Sequence, residues 1–261
     1  MMFASPGPIA IAIGPVHIRW YGLLLGTSAL LAFALAQREA ARRGEALDPF
    51  LTACSFALAG AIVGARLYHV AFHLDYFSRF PLKVLALWEG GAGIFGGVLG
   101  GTVAAALYTW RHHLPLGRYL DIIVPNLALA QAIGRWGNFF NEEAFGPPTD
   151  LPWGLFVSPG RRPPGFAAVE RFHPTFLYES LWNLAVFAIL FFVLRKRLAD
   201  RPGALFFAYL ALYGAGRFAL ETFRLDSEYL GPFRSAQVVA AVCLVAAAVA
   251  IPWLRLRRPG V

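Results

Sequence analysis

Apolar residues dominate this chain in long runs, and polar residues punctuate the runs at regular intervals. A bilayer-spanning helix needs about 20 mostly apolar residues, with a range of roughly 17–25. Seven stretches meet that requirement, near 20–37, 50–72, 91–110, 119–135, 174–194, 203–221 and 235–254. The fourth carries Asp121, Pro125, Asn126, Gln131 and Arg135, so it is expected to face protein rather than lipid. A loop at 136–173, rich in Gly and Pro, separates the fourth and fifth stretches. Loops of that length are uncommon unless functional or disordered. Trp136, Phe139, Phe140, Trp153 and Phe156 argue against disorder. The pattern therefore predicts an all-α polytopic membrane protein with seven transmembrane helices and a small ordered cap formed largely by 136–173. Residues 1–261 read as a single integral membrane domain. No internal repeat is visible, whereas secondary transporters usually carry two related halves.

Basic residues orient this arrangement. Short connections hold Arg38, Arg42 and Arg43, then Arg111 and Arg118, then Arg195, Lys196, Arg197 and Arg201; the tail adds Arg255, Arg257 and Arg258. With seven spans these clusters fall on one side, and the positive-inside rule makes that side cytoplasmic. The N-terminus and the cap are then expected outside and the C-terminus inside.

Composition supports a membrane setting. The chain has 261 residues, of which 58% are hydrophobic and 15% charged, against roughly 45–50% and about 25% in soluble domains. The net charge of +8 fits cytoplasmic loops and anionic lipid. No basic stripe stands apart from the spans, so nucleic acid is not an expected partner. Cys54 and Cys243 lie inside apolar runs and read as small buried hydrophobes. No cleavable signal peptide is expected: Arg19, the first basic residue, follows the short Ile9–Ile13 run. No Walker loop, Cys/His metal spacing or GxSxG elbow occurs, so neither metal nor cofactor is expected.

Four groups of polar residues hold candidate chemistry. The richest is Gly134–Gly146, GRWGNFFNEEAFG, where one arginine, two asparagines and two glutamates follow an apolar span. Ionisable groups at membrane depth are costly and usually mark function. Gln131, Arg135 and Asn138 share a face if the helix continues that far. In the second group, Tyr213, Arg217, Glu221 and Arg224 form one helix stripe aimed inward. An Arg217–Glu221 pair at i, i+4 also has a purely structural reading. The third, His173-Pro174-Thr175-Phe176-Leu177-Tyr178-Glu179-Ser180, opens a helix at its proline. Glu179 and Asn183 share a face there, and His173 fits a base, a cap or a headgroup donor. The fourth, the glycine-rich stretch from Trp88 and Glu89 through Gly97, suits close helix packing or approach of backbone amides to an anion. Arg66 and Tyr68 add polar groups at the end of the second span, and His17-Ile18-Arg19-Trp20-Tyr21-Gly22 makes an aromatic–basic girdle. The chain has no evident nucleophile, which implies that a substrate supplies it.

GRWGNFFNEEAFG resembles the signature of bacterial prolipoprotein diacylglyceryl transferases. RWYG, the WEGG…GG stretch, HPTFLYES and GRFALETFR resemble further blocks of that family in the same order, from about residue 17 to 250. The resemblance implies a seven-helix enzyme of the bacterial inner membrane, with its N-terminus and cap periplasmic. The implied reaction moves the diacylglyceryl group of phosphatidylglycerol to the thiol of a lipobox cysteine in a prolipoprotein signal peptide, releasing glycerol 1-phosphate. Carried over by position, it marks Arg135, Asn138, Glu143, Gly146, Tyr213, Arg217, Glu221, Arg224 and Tyr21. Where some members have a histidine in the glycine-rich block, this chain has Phe95.

The chemistry matches the residue types. A thiolate attacks the glyceryl carbon, the C–O bond to phosphate breaks, and negative charge grows on the phosphate. Arginine stays charged and binds phosphate bidentately. Arg135 and Arg217 are the expected clamp, Glu221 and Glu143 hold them or contact glycerol hydroxyls, and Glu143 or His173 is the candidate base. Tyr213 is counted with the catalytic group; Asn138, Gly146, Tyr21, Arg224 and Arg66 are counted with substrate binding. A non-enzymatic transporter or flippase for an anionic lipid or solute is the competing class, since it too needs arginines at membrane depth.

Overall fold

The computed structural model describes residues 3–87, 90, 91, 93–227 and 229–256, the side chains of 255 and 256 excepted. Trp88, Glu89 and Ala92 of the glycine-rich stretch lie outside the described residues, as do Arg257, Arg258 and the side chain of Arg255.

Helix dominates, and every one of the seven apolar stretches falls on a helix. After short strands β1 (Phe3–Ala4), β2 (Ile9–Ile13) and β3 (Val16–Arg19) come α1 (Trp20–Arg42), α2 (Leu47–Ala71) and the short α3 (Leu74–Arg79). Next are α4 (Ile94–Arg111), α5 (Leu116–Gly134) and α6 (Trp136–Asn141), then strands β4 (Leu155–Phe156) and β5 (Arg171–Phe172). Helix α7 (Thr175–Ala188) runs through a π-helical stretch, Ile189–Leu194, into α8 (Arg195–Arg197). The chain ends with α9 (Ala204–Glu221), the hairpin β6 (Tyr229–Leu230) and β7 (Phe233–Arg234), and α10 (Ser235–Leu256).

Among the described residues, four segments are long and apolar enough to cross a membrane: Trp20–Arg42, Leu47–Ala71, Thr175–Arg197 and Ser235–Leu254. The other three stretches are helices of 18, 19 and 18 residues, α4, α5 and α9. Glycines in α4, Asp121, Asn126 and Gln131 in α5, and Arg217 and Glu221 in α9 dilute their apolar character.

The chain packs as two compact units, one of residues 1–36 and 120–261, the other of residues 37–119. In the second unit α2 and α4 meet backbone to backbone. A Cβ at Gly60 would lie 2.6 Å from the Gly100 carbonyl oxygen, and one at Gly64 would overlap the Gly96 carbonyl. Of the two readings of the glycine-rich stretch, close helix packing accounts for Gly96 and Gly100.

In the first unit a core of Val124, Ala128, Val186, Leu190, Leu205 and Tyr209 joins α5, the α7 helix and α9. The polar residues of α5 face this protein interior. Asp121 is 3% exposed and accepts from the backbone amides of Gly203 and Phe206, each at 2.8 Å. It thereby satisfies amides at the first turn of α9 that have no partner within the helix. Asn126 donates to the Ile122 carbonyl, and Gln131 accepts from the Tyr209 hydroxyl at 3.1 Å.

The loop 136–173 is ordered, as its aromatics imply. Phe139, Phe145, Leu155, Val157, Phe172 and Phe176 form one core. Strand β1 pairs parallel with β4, which pairs antiparallel with β5. These strands are two residues each, too short for a period to be legible in the sequence. The β2–β3 hairpin keeps Ile11, Ile13 and Val16 exposed at 47%, 66% and 59%.

Candidate functional site

Helix α5 ends at Gly134 and α6 starts at Trp136, with Arg135 between them in a right-handed helical conformation. Its amide donates to Gln131 and its carbonyl accepts from Asn138, so the helical path tightens without turning away. Arg135 therefore points to the side of Gln131, as the i, i+4 spacing implies. The path then breaks sharply. Glu142 and Ala144 have φ of 50° and 55°, left-handed backbone that costs of order 1–3 kcal/mol per non-glycine residue and clusters at functional sites. The Glu142 carboxylate takes the amide and hydroxyl of Ser158, both at 2.9 Å, tying the turn to the cap. The Ala144 carbonyl accepts from the Thr175 hydroxyl, and its amide donates to Asp226 at 3.2 Å.

This turn brings the signature against α7 and α9. Glu179, on the second turn of α7 and 4% exposed, is the meeting point. Its Oε2 lies 2.6 Å from Arg135 Nε; its Oε1 lies 3.0 Å from Arg217 Nη1 and 3.7 Å from Arg224 Nη1. Arg217 Nη2 also pairs with Glu221 at 2.7 Å, and Arg224 bonds Asp226 through Nε and Nη2 at 3.0 and 3.1 Å. Arg234 donates to the carbonyls of Glu221 and Arg224 and to the Ser227 hydroxyl. Four guanidiniums thus surround three carboxylates, and one cationic charge is left over. Burial disfavours charge on Arg224, but the bond to Asp226 and the charges of Asp226, Glu179 and Glu221 outweigh it, so its pKa lies above the ordinary value.

The Tyr213–Arg217–Glu221 stripe runs along α9 as the spacing implies. Arg224 lies past the helix end, but its amide donates to the Glu221 carbonyl and this last turn keeps it on the same side. Tyr213 stacks on Tyr209 with ring centroids 5.6 Å apart. A small cavity of ≈ 10 Å³ adjoins the cluster, lined by Arg135, Glu179, Asn183, Tyr213, Arg217 and Leu220 among others. Gly216 leaves room for Trp182, whose indole N–H donates to the Leu212 carbonyl at 3.0 Å; a Cβ on Gly216 would overlap that ring.

Glu143 has a different neighbourhood. Its Oε1 accepts from Asn138 at 2.9 Å and from Asn141 at 3.2 Å. Asn141 Oδ1 is buried without a hydrogen-bond partner among the described residues. Buried acceptors are nearly always paired, so an orphan in a polar cluster marks a place for a donor.

The remaining sequence-derived residues fall nearby or elsewhere. At Gly146 a Cβ would lie 2.6 Å from the Phe223 carbonyl oxygen and 2.9 Å from His173 Cβ; its bare backbone lets the cap, the start of α7 and the chain after α9 meet. His173 Nδ1 sits 3.1 Å from the Tyr178 hydroxyl, which also accepts from Trp153 at 3.3 Å. The Tyr21 ring lies against Gly137, and Trp20 stacks on Phe140 at 4.7 Å, docking the start of α1 on α6. Arg66, in the second unit, is 6% exposed and donates to the carbonyls of Lys83, Val84, Ala86, Gly90 and Gly91. Those donors are already engaged by backbone, which makes Arg66 a staple for the backbone at 83–86 and at Gly90 and Gly91. Phe95, in the same unit, is 39% exposed with its ring 6.3 Å from that of Tyr68.

The site also has members that the assignment of roles from sequence omits. Glu179 shares a helix face with Asn183, but its partners lie 38 to 45 residues away in sequence. Asp226 and Arg234 sit in a turn and a hairpin with no periodic signal.

Apolar helices of membrane length and a partly buried arginine cluster define a helical membrane protein. The family model described as "Prolipoprotein diacylglyceryl transferase" matches residues 8–253. A phosphatidylglycerol–prolipoprotein diacylglyceryl transferase of Trichormus variabilis is 45% identical over 261 residues, covering 98% of this chain and 93% of its own. Proteins of the same name from Synechococcus elongatus and Gloeobacter violaceus are each 46% identical. These alignments cover 97% and 98% of this chain and 89% and 95% of the relatives. The chain belongs to the prolipoprotein diacylglyceryl transferase family.

Proposed function

We propose that this protein transfers the diacylglyceryl group from phosphatidylglycerol to the thiol of the lipobox cysteine of prolipoproteins, leaving a thioether and glycerol 1-phosphate. The family supports this reading, as do the names of the relatives. The observation that carries it is the convergence of Arg135, Arg217 and Arg224 on Glu179. A group that gathers three guanidiniums from separate segments marks where an anion is held.

The chemistry follows from charge. The peptide thiol loses its proton, its sulfur forms a bond to the terminal glyceryl carbon, and the C–O bond to phosphorus breaks with its electrons on oxygen. The phosphodiester carries one negative charge and the departing phosphate monoester two. Charge that grows in the transition state is best stabilised by donors already in position, and removing one such donor typically costs about 10²–10³ in rate. Arg135 and Arg217 are the clamp in this account, with Arg224 as their neighbour. Glu221 orients Arg217. The orphan Asn141 acceptor beside Glu143 and Asn138 suits a glycerol hydroxyl. Glu143 is the candidate for the proton acceptor, and Tyr213 is on the wall of the cavity. His173 is engaged with Tyr178 and serves here to anchor the cap. Arg66 has no place in the headgroup site, because carbonyls surround it.

The seven helices at the apolar stretches are read as seven spans of the bacterial inner membrane. The cap and N-terminus are then periplasmic and the C-terminus cytoplasmic, following the basic connections. The test of the reaction is direct: incubation with phosphatidylglycerol and a lipobox peptide, followed by mass spectrometry of the peptide. A mass gain of one diacylglyceryl group with release of glycerol 1-phosphate is expected. Movement of lipid with neither product would favour the transporter reading.

A further inference from the structure

We propose that Glu179 is a displaceable stand-in for the lipid phosphate: it holds the arginines together, yields its place to the phosphodiester, and returns to expel glycerol 1-phosphate. This rests on the reading above. Three observations carry it. Both oxygens of one carboxylate are used, Oε2 on Arg135 and Oε1 between Arg217 and Arg224. A carboxylate and a phosphate present the same two-oxygen face to a guanidinium, so Glu179 occupies the seats that two phosphate oxygens would take. Second, Arg217 and Arg224 have other carboxylates, Glu221 and Asp226, so the cluster survives when Glu179 withdraws. Arg135 meets only Glu179 among the acidic groups of the described residues, and it is the most exposed of the three, at 25% against 14% for each of the others. The most exposed of the three arginines is therefore the one that Glu179 keeps in place. Third, Glu179 lines the small cavity beside Asn183, one helical turn further along α7, so a polar side chain flanks the carboxylate on its own helix.

The charge count gives the device its purpose. With Glu179 withdrawn, four guanidiniums face the two carboxylates Glu221 and Asp226, and the cluster has two excess positive charges. The product carries two negative charges and would bind more tightly than the substrate without a competitor. A tethered carboxylate supplies that competitor at high effective concentration.

The experiment compares full-length wild type with Glu179→Gln and Glu179→Asp in detergent, using added glycerol 1-phosphate as inhibitor of transfer from phosphatidylglycerol to a lipobox peptide. The neutral amide should tighten inhibition at least tenfold and leave a burst of one thioether per enzyme before slow turnover. The aspartate keeps the charge on a shorter arm and should tighten inhibition by a smaller factor, about threefold. A purely structural glutamate predicts the opposite, looser inhibition and no burst. Unchanged or weaker inhibition in Glu179→Gln overturns the proposal; if that variant does not fold, the same result in Glu179→Asp does. Absence of transfer in wild type would instead sink the assigned reaction.

Discussion

Arg135, Arg217 and Arg224 carry one chemistry in three contexts. Arg217 is flanked by carboxylates of α7 and α9, Arg224 shares Glu179 with Asp226, and Arg135 rests on Glu179 at a break between two helices. Removing one partner from a buried ion pair typically costs about 3–5 kcal/mol, because the other charge is left uncompensated. Any substitution here therefore affects stability as well as rate, and activity has to be read per folded molecule. Single residues also decide the question raised by Phe95. Relatives with a histidine there invite the idea of an imidazole base, yet this chain has a half-exposed phenyl ring beside Tyr68. Phe95→His is expected to leave turnover within roughly tenfold, or about 1.4 kcal/mol of barrier. A gain of a hundredfold or more in the peptide assay would show that the native site lacks a base it can use. Arg66 shows the limit of residue-level inference: an arginine at a span end reads as an anion ligand, and only the fold reveals that five carbonyls claim it.

Elements explain which parts of the site were legible in the sequence. Periodicity acts within one helix, so it located the α9 stripe, the polar face of α5 and the helical entry at Pro174. It does not report which helices meet, so the role of Glu179 stayed hidden although its face was readable. The two-residue strands of the cap and the π-helical stretch of α7 carry no pattern that a sequence exposes. The glycines of α4 had two readings, packing and anion approach, and the backbone contact with α2 favours the first for Gly96 and Gly100. At this scale Asp121 makes the clearest test, since it caps α9 from α5 and lies outside the arginine cluster. Asp121→Ala should lower stability by about 1–3 kcal/mol, the cost of leaving buried donors unpaired. The check is thermal unfolding in detergent, with turnover per folded molecule close to wild type. A variant as stable as wild type would show that the cap is dispensable to α9.

The whole molecule joins these elements to a membrane. Polar chemistry near the ends of helices, a packed aromatic cap and basic connections fit an enzyme that takes a lipid from the bilayer and a peptide from the outer surface. That account depends on sidedness. Arg42, at the end of α1, and Gly160, in the cap, are expected on opposite faces. Cysteine labelling at Arg42→Cys and Gly160→Cys in intact cells, with a reagent that cannot cross the membrane, should mark only the second. Labelling of both from outside contradicts the seven-span arrangement.

The central claim is that the arginine cluster binds and stabilises the phosphate as the diacylglyceryl group departs. Its most direct test is glycerol 1-phosphate release, per folded molecule, from phosphatidylglycerol and a lipobox peptide by wild type, Arg135→Gln and Arg217→Gln. Each substitution is expected to lower the rate by about 10²–10³, with lysine restoring only part of it because the ammonium lacks the planar fork. Near-normal release by either glutamine variant, in protein shown to be folded, would remove that arginine from the reaction and contradict the account.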